Sequence, residues 1–455
     1  MKTCEIDSTF IEENRKEIGM LIRKVREARK LRLKDWDDGK ISTTTISNIE
    51  RGTDQHTTDM IIYLLEKIGI STMEELSDML EQERDITAQL NFQLKSAESF
   101  LKLGLYDKSI KTMEHIDITD SHPSAPLLHF QRGQCLKEMG KWECAEKSFF
   151  HVLELLSDQT EPDKSNIESA SLNELAFCMH HHNKLDQALH FTETGIQSFT
   201  KGSNRQYLIF RLYLNKIVFL HKLNRTEGIL TLLDEISSSL HKVTDTNVRL
   251  KYYWLRSHYT RKAGEFEEAL HYAEQGLELA ESNGSFNMIL EFWLCIASAL
   301  TSMGKFQEAE KGLLLAIEFP SDLVESKSMA SAHLKLGILY SQQQLWNKAE
   351  PYSRTAREMS FSLNDAPMLF SALILSGDVS LNQSDPINAV QFYENAQTLA
   401  HRYNYTELEI QAWSRLANYW KDVDQQKFYY CTSQFYCLQS TTSLKGDYYY
   451  DEIVV

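Results

Sequence analysis

The sequence predicts an all-α protein with a small N-terminal helical domain followed by a long series of repeated helix pairs. Residues 263–281, AGEFEEALHYAEQGLELAE, place small and apolar side chains on one face of a helix and acidic ones on the others. A phrase made of a turn, an apolar residue and a small residue recurs along most of the chain. Outside these repeats, residues 41–52 carry the cap, core and stop signals of a short helix.

The small residue of the recurring phrase sets the register of the repeats. It recurs at intervals of 36 to 43 residues, at Ser109, Ala145, Ala188, Gly228, Ala269, Ala309, Ala349 and Ala389. Such regularity is typical of stacked helix pairs that share one continuous core. The phrase resembles the tetratricopeptide repeat over roughly residues 90–430. The resemblance implies a right-handed superhelix of helix pairs, with helices longer than in the standard unit.

Composition is ordinary for a soluble protein, with 42% hydrophobic and 25% charged residues. The longest apolar run, Met60 to Leu65, is far too short to span a bilayer, so we expect no membrane association. The first residues carry acids and lack an apolar core, so we expect no signal peptide and a cytoplasmic location. The seven cysteines form no C-x-x-C pair and are expected to be free thiols in a reducing compartment.

The net charge of −16 is unevenly distributed. Residues 1–70 hold 13 basic and 13 acidic residues, so the rest of the chain carries the negative charge. Nine basic residues lie between Arg15 and Lys34. A basic stripe on a neutral domain that is joined to an acidic body indicates an anionic partner for the N-terminus. A solvated helix face is the alternative explanation.

Two amphipathic helices are predicted in the N-terminal domain. Residues 11–30 form the first, with an apolar stripe of Ile18, Leu21, Ile22 and Val25. Ser42 is suited to cap the second helix, which buries Ile46 and Ile49 and stops at Gly52. Residues 59–68 predict a further apolar helix.

Two phrases of this domain resemble the Cro/repressor-type helix-turn-helix. They are I-G-x-x-I-R-x-x-R-E from Ile18 to Glu27 and I-S-x-x-x-I-S-x-I-E-R-G from Ile41 to Gly52. The resemblance implies that the second phrase is a recognition helix for the major groove of double-stranded operator DNA. It implies phosphate contact by Ser42 and base-edge contacts by Thr43, Thr44 and Asn48, with Thr45, Ser47 and Arg51 nearby. Arg23 and Arg26 are expected to bind phosphates, and a small bundle without a DNA role is the alternative.

The predicted domains are a DNA-binding domain at residues 1–70 and a linking helix at residues 71–90. A repeat domain for peptide binding and dimerisation follows at residues 91–440, and an acidic, aromatic tail at residues 441–455. Prolines predict breaks near residues 123–126 and 161–163.

Candidate ligand-binding residues lie on the first helices of the repeats, which usually line the concave side of a superhelix. The amides of Gln134, Asn173 and Asn215 can pair with both groups of a peptide backbone. Tyr213, Trp254 and His258 supply aromatic surface, and the cations are Arg211, Lys251, Arg256, Arg261 and Lys262. We predict an extended peptide of roughly five to ten residues across units three to five. Structural use within the superhelix is the alternative for each residue.

The histidine cluster His180, His181, His182 and His190 superficially suggests a metal site. Neighbouring residues on a helix point about 100° apart, so three in a row cannot close on one ion. The sequence contains no phosphate loop, no G-x-S-x-G and no H-E-x-x-H motif. We therefore expect no metal, no cofactor and no enzymatic activity.

A Cro-type helix-turn-helix followed by tetratricopeptide-like repeats resembles the RRNPP family of peptide-responsive regulators. This resemblance implies a cytoplasmic homodimer that binds operator DNA under the control of a short imported signalling peptide. Two alternatives stay open: a repeat protein that binds a response regulator and modulates its phosphorylation, and a non-catalytic scaffold for protein contacts.

Overall fold

The computed structural model describes residues 7–52, 58–157, 165–223 and 225–439, and the all-α prediction is confirmed for them. They form two compact units that divide near residue 160. Among these described residues, none of the helices combines the length and apolarity required to cross a membrane. The predicted break at 161–163 and the predicted tail at 441–455 lie outside the described residues.

The first unit contains nine helices within its described residues. They are α1 (Ser8–Glu13), α2 (Arg15–Ala28), α3 (Leu33–Trp36), α4 (Thr43–Glu50), α5 (Thr58–Ile68), α6 (Met73–Lys102), α7 (Tyr106–Glu114), α8 (Ala125–Glu138) and α9 (Trp142–Ser157).

The core of the N-terminal helices follows the predicted apolar stripes. Ile18, Leu21 and Ile22 of α2 are buried with Ile46 and Ile49 of α4. The two helices approach closely at Gly19, where an added Cβ would lie 2.2 Å from the carbonyl oxygen of Ile49. Only a residue without a side chain fits at this crossing.

The single helix predicted over residues 11–30 is two helices, so this prediction is wrong in detail. The break falls at Asn14, which has a non-helical backbone and ends α1. Its side-chain amide donates to the carbonyl oxygen of Phe10 at 2.9 Å and so competes with the regular helical pattern.

Helix α6 runs without interruption from Met73 to Lys102 and includes all of the predicted linking segment 71–90 except its first two residues. Thr72 and Glu75 form a capping box at its start. Leu76 and Leu80 near this end pack in the core of the N-terminal helices. Towards the other end, Ala97 packs in a separate cluster with Met113 of α7.

The second unit continues the helix pairs. They are α10 (Ile167–His181), α11 (Leu185–Gln197), α12 (Leu208–Lys222), α13 (Ile229–Ser237), a 3-10 turn (Leu240–Lys242), α14 (Thr246–Lys262), α15 (Phe266–Ser282), α16 (Phe286–Ser302), α17 (Phe306–Ile317), α18 (Ser326–Gln342), α19 (Trp346–Ser362), α20 (Ala366–Asn382), α21 (Pro386–Arg402), α22 (Thr406–Trp420) and α23 (Gln425–Gln439).

The predicted register is confirmed at seven of its eight marks. These small residues are completely buried: Ser109, Ala145, Ala188, Ala269, Ala309, Ala349 and Ala389. The eighth mark is wrong, because Gly228 precedes α13 in a left-handed conformation with φ of 79°. Larger residues, Ile229 and Leu233, are buried in α13 instead.

The turn inside most pairs uses a left-handed residue. Gly264 has φ of +89° between α14 and α15. Gln344 and Ser384 take the same conformation at the equivalent positions, with φ of 58° and 64°. The turn geometry is therefore kept even where glycine is absent.

The first helices of successive pairs form one layer of the second unit. Helices α10, α12, α14, α16, α18 and α20 each contact the next member of this series. This layer places side chains that are about 40 residues apart in sequence next to one another.

Candidate functional site

Helix α4 presents the residues predicted to contact DNA. Ser42 caps the helix by accepting from the Thr45 amide at 3.2 Å, and the two hydroxyls lie 3.0 Å apart. Thr44 and Arg51 are exposed, and Thr43, Ser47 and Asn48 are half-buried. Ile46 and Ile49 hold the opposite face in the core, so the polar face of α4 remains towards solvent.

The predicted role of Arg26 is corrected by the structure. Arg26 is only 8% exposed, and its guanidinium binds both carboxylate oxygens of Glu50 at 2.6 and 2.8 Å. It also donates to the carbonyl oxygen of Leu31 at 2.9 Å. A guanidinium held in this way joins α2 to α4 and is not available to a DNA phosphate.

The rest of the predicted basic stripe is partly neutralised within the first unit. Arg23 donates to Glu27 at 2.9 Å, and Lys24 donates to Glu83 of α6 at 2.6 Å. Arg29 donates to the carbonyl oxygen of Ile68 at 2.8 Å. Arg23 keeps partial exposure and stays a prediction for phosphate contact.

In the second unit, two of the predicted amides and one predicted cation form a row across three first helices. Asn215 of α12 donates to the side-chain oxygen of Asn173 on α10 at 2.8 Å. Lys251 of α14 donates to the side-chain oxygen of Asn215 at 3.3 Å. Asn173 is 1% exposed and Asn215 is 4% exposed, so the two amides join neighbouring helices of the layer.

A cluster of cations lies beside this amide row. Burial, followed by the nearby charges of Arg211 and Lys222, lowers the pKa of Lys251 to about 8. Lys222 lies 2.8 Å from Nε2 of His180, and burial lowers the pKa of this lysine to about 8. Burial and the charge of Lys222 lower the pKa of His180 to about 4. The ring is therefore neutral near pH 7, and the surrounding charge favours an anion.

A pocket lies between the first helices α14, α16 and α18. It brings together the three predicted residues Trp254, His258 and Arg261. The rings of Trp254 and His258 stack with centroids 5.7 Å apart. Both are buried, whereas Arg261 is half-buried.

Glu291 of α16 was missed by the sequence interpretation and lines the same pocket. Its carboxylate accepts from the Trp254 indole at 3.3 Å and from the Ser328 hydroxyl at 2.5 Å. Burial raises the pKa of Glu291, and these donors oppose the rise. The pocket therefore combines a buried carboxyl group with the cations Arg261 and Lys335.

Two predicted residues lie apart from these contacts. Gln134 is half-buried on α8, in the other compact unit, and Tyr213 is half-buried on α12. Of the remaining predicted cations, Arg256 donates to Asp234 and lies over the ring of Tyr272 at 5.2 Å.

No known protein-family model matches the sequence. No curated protein matches it either. Among solved structures, a Rap protein complexed with competence and sporulation factor is similar with a TM-score of 0.54 at 10% identity, over 78% of this chain and 98% of the other. The apo form of the quorum sensor NprR from B. thuringiensis has a TM-score of 0.50 at 14% identity, over 86% and 99% of the two chains.

A Signal Transduction ATPase with Numerous Domains from Pyrococcus horikoshii, which has a tetratricopeptide repeat sensor, has a TM-score of 0.52 at 15% identity. The similarity covers 93% of this chain and 64% of the other. At these identities the comparisons show the fold alone. The chain has the tetratricopeptide-like repeat fold.

Proposed function

We propose that this protein is a non-catalytic, peptide-responsive transcription regulator of the RRNPP type. The second unit binds a short linear peptide along its layer of first helices, and helix α4 of the first unit binds operator DNA. The observation that carries the peptide proposal is the row formed by the cations Arg211 and Lys251 and the aromatic rings of Trp254 and His258 on α12 and α14.

The chemistry of this row fits the needs of an extended peptide. The cation cluster around Lys251 and Arg211 favours a free carboxylate. Trp254, His258 and Arg261 provide aromatic and cationic surface further along α14, beside Glu291. Helices packed about 8–10 Å apart span the length of roughly five to ten extended residues over three or four positions.

The peptide proposal is tested by calorimetry with synthetic peptides encoded by small reading frames beside this gene. Free-acid and amidated forms of each peptide are compared on the parent protein and on Lys251→Met. We expect one peptide to bind the parent protein more tightly as a free acid than as an amide. This difference in affinity should disappear in Lys251→Met. If both forms of the peptide bind both proteins with equal affinity, the cation cluster is not part of the binding site.

The DNA proposal depends on the exposed face of α4, since the basic stripe is largely paired within the unit. Thr44 and Arg51 are exposed there and Asn48 is half-buried, which suits contact with base edges and phosphate. Asn48→Ala should weaken binding to the preferred sequence by about 1–3 kcal/mol and leave nonspecific binding unchanged. Arg23→Ala should weaken binding to all sequences alike.

Genomic footprinting identifies the operator, and fluorescence anisotropy at several salt concentrations measures these changes. Lys102→Ala at the end of α6 is a matched control for Arg23→Ala, because it also removes one cation that is paired with a glutamate four residues away. A protein that binds no DNA under any of these conditions would favour the alternative role of binding a response regulator or another protein through the repeats.

We propose that the regulator is a homodimer, because one recognition helix reads only a few base pairs. The last helix, α23, offers a surface for this contact. Its side chains Tyr429, Tyr430 and Tyr436 are 63%, 59% and 63% exposed, respectively. Sedimentation of the parent and of a Tyr430→Lys/Tyr436→Lys variant tests the proposal. The parent should be a dimer, and the two lysines should weaken its association.

A further inference from the structure

Three metal-ligating side chains meet at the base of the second helix pair in the first unit. Asp120 lies on the connection between α7 and α8, His129 on α8 and His151 on α9. Nε2 of His129 is 3.4 Å from Oδ1 of Asp120, and Nε2 of His151 is 3.3 Å from Oδ2. The ligand atoms of the three residues all lie within 4.8 Å of one another.

The two nitrogen–oxygen separations, each to a different oxygen of Asp120, are close to those between neighbouring ligands of one metal ion. Nitrogen and oxygen ligands at about 2.0–2.1 Å from a tetrahedral ion lie about 3.3–3.4 Å from each other. The two imidazole rings are nearly perpendicular, at 85°, with centroids 4.6 Å apart. They can therefore direct their Nε2 atoms to one point beside the carboxylate without stacking on each other.

A second carboxylate supports one of the histidines from behind. Nδ1 of His151 lies 3.3 Å from an oxygen of Glu154, which follows one turn later on α9. Metal-ligating histidines usually donate their other ring N–H to a carboxylate or carbonyl, which fixes the tautomer and the ring orientation. His151 therefore has a carboxylate at Nδ1, which leaves Nε2 on the side of Asp120.

We propose that Asp120, His129 and His151 bind one divalent transition-metal ion of the zinc type. Two imidazole nitrogens and one carboxylate oxygen suit Zn²⁺ and Co²⁺, with a fourth position for water. Asp120 is 62% exposed, while the two histidines are 23% and 33% exposed, so an ion can enter from solvent.

The position of the site connects it to the N-terminal helices. The hydroxyl of Ser121, next to Asp120, donates to Glu27 of α2 at 2.7 Å. Glu27 in turn accepts from Arg23 at 2.9 Å. An ion that joins Asp120 to α8 and α9 restrains the connection that holds this end of α2.

The test uses the full chain without a histidine tag, stripped of metal by a chelator. Zn²⁺ is titrated by calorimetry, and Co²⁺ is followed by its visible absorption. We expect one tight equivalent of metal and the Co²⁺ spectrum of a low-coordinate nitrogen and oxygen site. Asp120→Asn, His129→Gln and His151→Gln should each weaken binding more than about 100-fold, and Glu154→Gln by about 10–100-fold.

Three substitutions serve as matched controls. His115→Gln and Asp117→Asn change the same residue types near the same connection, and His190→Gln removes a histidine from the second unit. All three should bind the metal like the parent. Circular dichroism checks that every variant is folded. The proposal is overturned if the parent binds no stoichiometric metal, or if Asp120→Asn/His151→Gln binds it as tightly as the parent.

Discussion

Arg26 and Glu50 form a buried, bidentate ion pair that joins α2 to α4, with N–O distances of 2.6 and 2.8 Å. Both residues belong to phrases that resemble a helix-turn-helix, and the hydrogen bond to Glu50 raises the pKa of Arg26. The pair fixes the orientation of α4 relative to the rest of the unit.

Removing one partner of this pair should destabilise the first unit strongly. Arg26→Ala leaves the carboxylate of Glu50 buried without its cation, which costs about 3–5 kcal/mol. Arg23→Ala is the matched control, because its pair with Glu27 is half-exposed and contributes at most about 1 kcal/mol. Hydrogen exchange of α2 and α4 reports the difference, and equal protection in both variants would contradict it.

Gly19→Ala should separate α2 from α4. Its new Cβ would lie 2.2 Å from the Ile49 carbonyl oxygen, and overpacking of this kind costs about 1–3 kcal/mol. Gly312→Ala is the control, since its Cβ would lie 3.5 Å from Trp293 in ordinary contact. A helix-interior glycine with that much space should gain up to about 1 kcal/mol on replacement. Opposite shifts in Tm are expected, and a stable Gly19→Ala protein would show that the crossing is loose.

Lys251 should make the stability of the second unit depend on pH. Its pKa of about 8 in the folded protein lies below the ordinary 10.5, so the unfolded chain binds more protons between these values. The free energy of unfolding therefore gains a contribution that is absent below pH 8 and grows as the pH rises to about 10.5. Urea unfolding of the parent and of Lys251→Met should show a smaller rise in the variant. If the free energy of unfolding depends on pH equally in the two proteins, Lys251 is not desolvated.

The amides of Asn173 and Asn215 should be strongly coupled. Asn173→Leu leaves the buried Asn215 amide without its acceptor, which costs about 1–3 kcal/mol. The double variant Asn173→Leu/Asn215→Leu removes both amides and should cost less than the sum of the two single substitutions. A double-mutant cycle from urea unfolding measures the coupling, and additive effects would contradict the hydrogen bond.

Much of the fold could be predicted because it follows from local patterns. The 40-residue period, the cap at Ser42 and the stop at Gly52 each depend on residues close in sequence. The register was wrong at Gly228, where the small residue belongs to the turn and not to the helix. One small residue does not show whether it lies in the turn or in the helix when the connection before it is irregular.

The sites were less predictable because they depend on partners far away in sequence. Nothing near Arg26 shows that a carboxylate 24 residues later lies opposite it. Glu291 could have been found, since it is a lone acid inside the apolar run MILEFWLC. Asp120, His129 and His151 lie on three segments with no motif spacing, and only the packing of α8 against α9 brings them together.

Helix α6 extends for roughly 45 Å at 1.5 Å per residue over its 30 residues. Its start is part of the core beneath α2 and α4, and its end is the first half of a repeat pair. One continuous helix therefore connects the core of the N-terminal helices to the first repeat pair. We therefore expect a rotation of the first repeat pair to move Leu76 and Leu80 as well, and with them the core that holds α4.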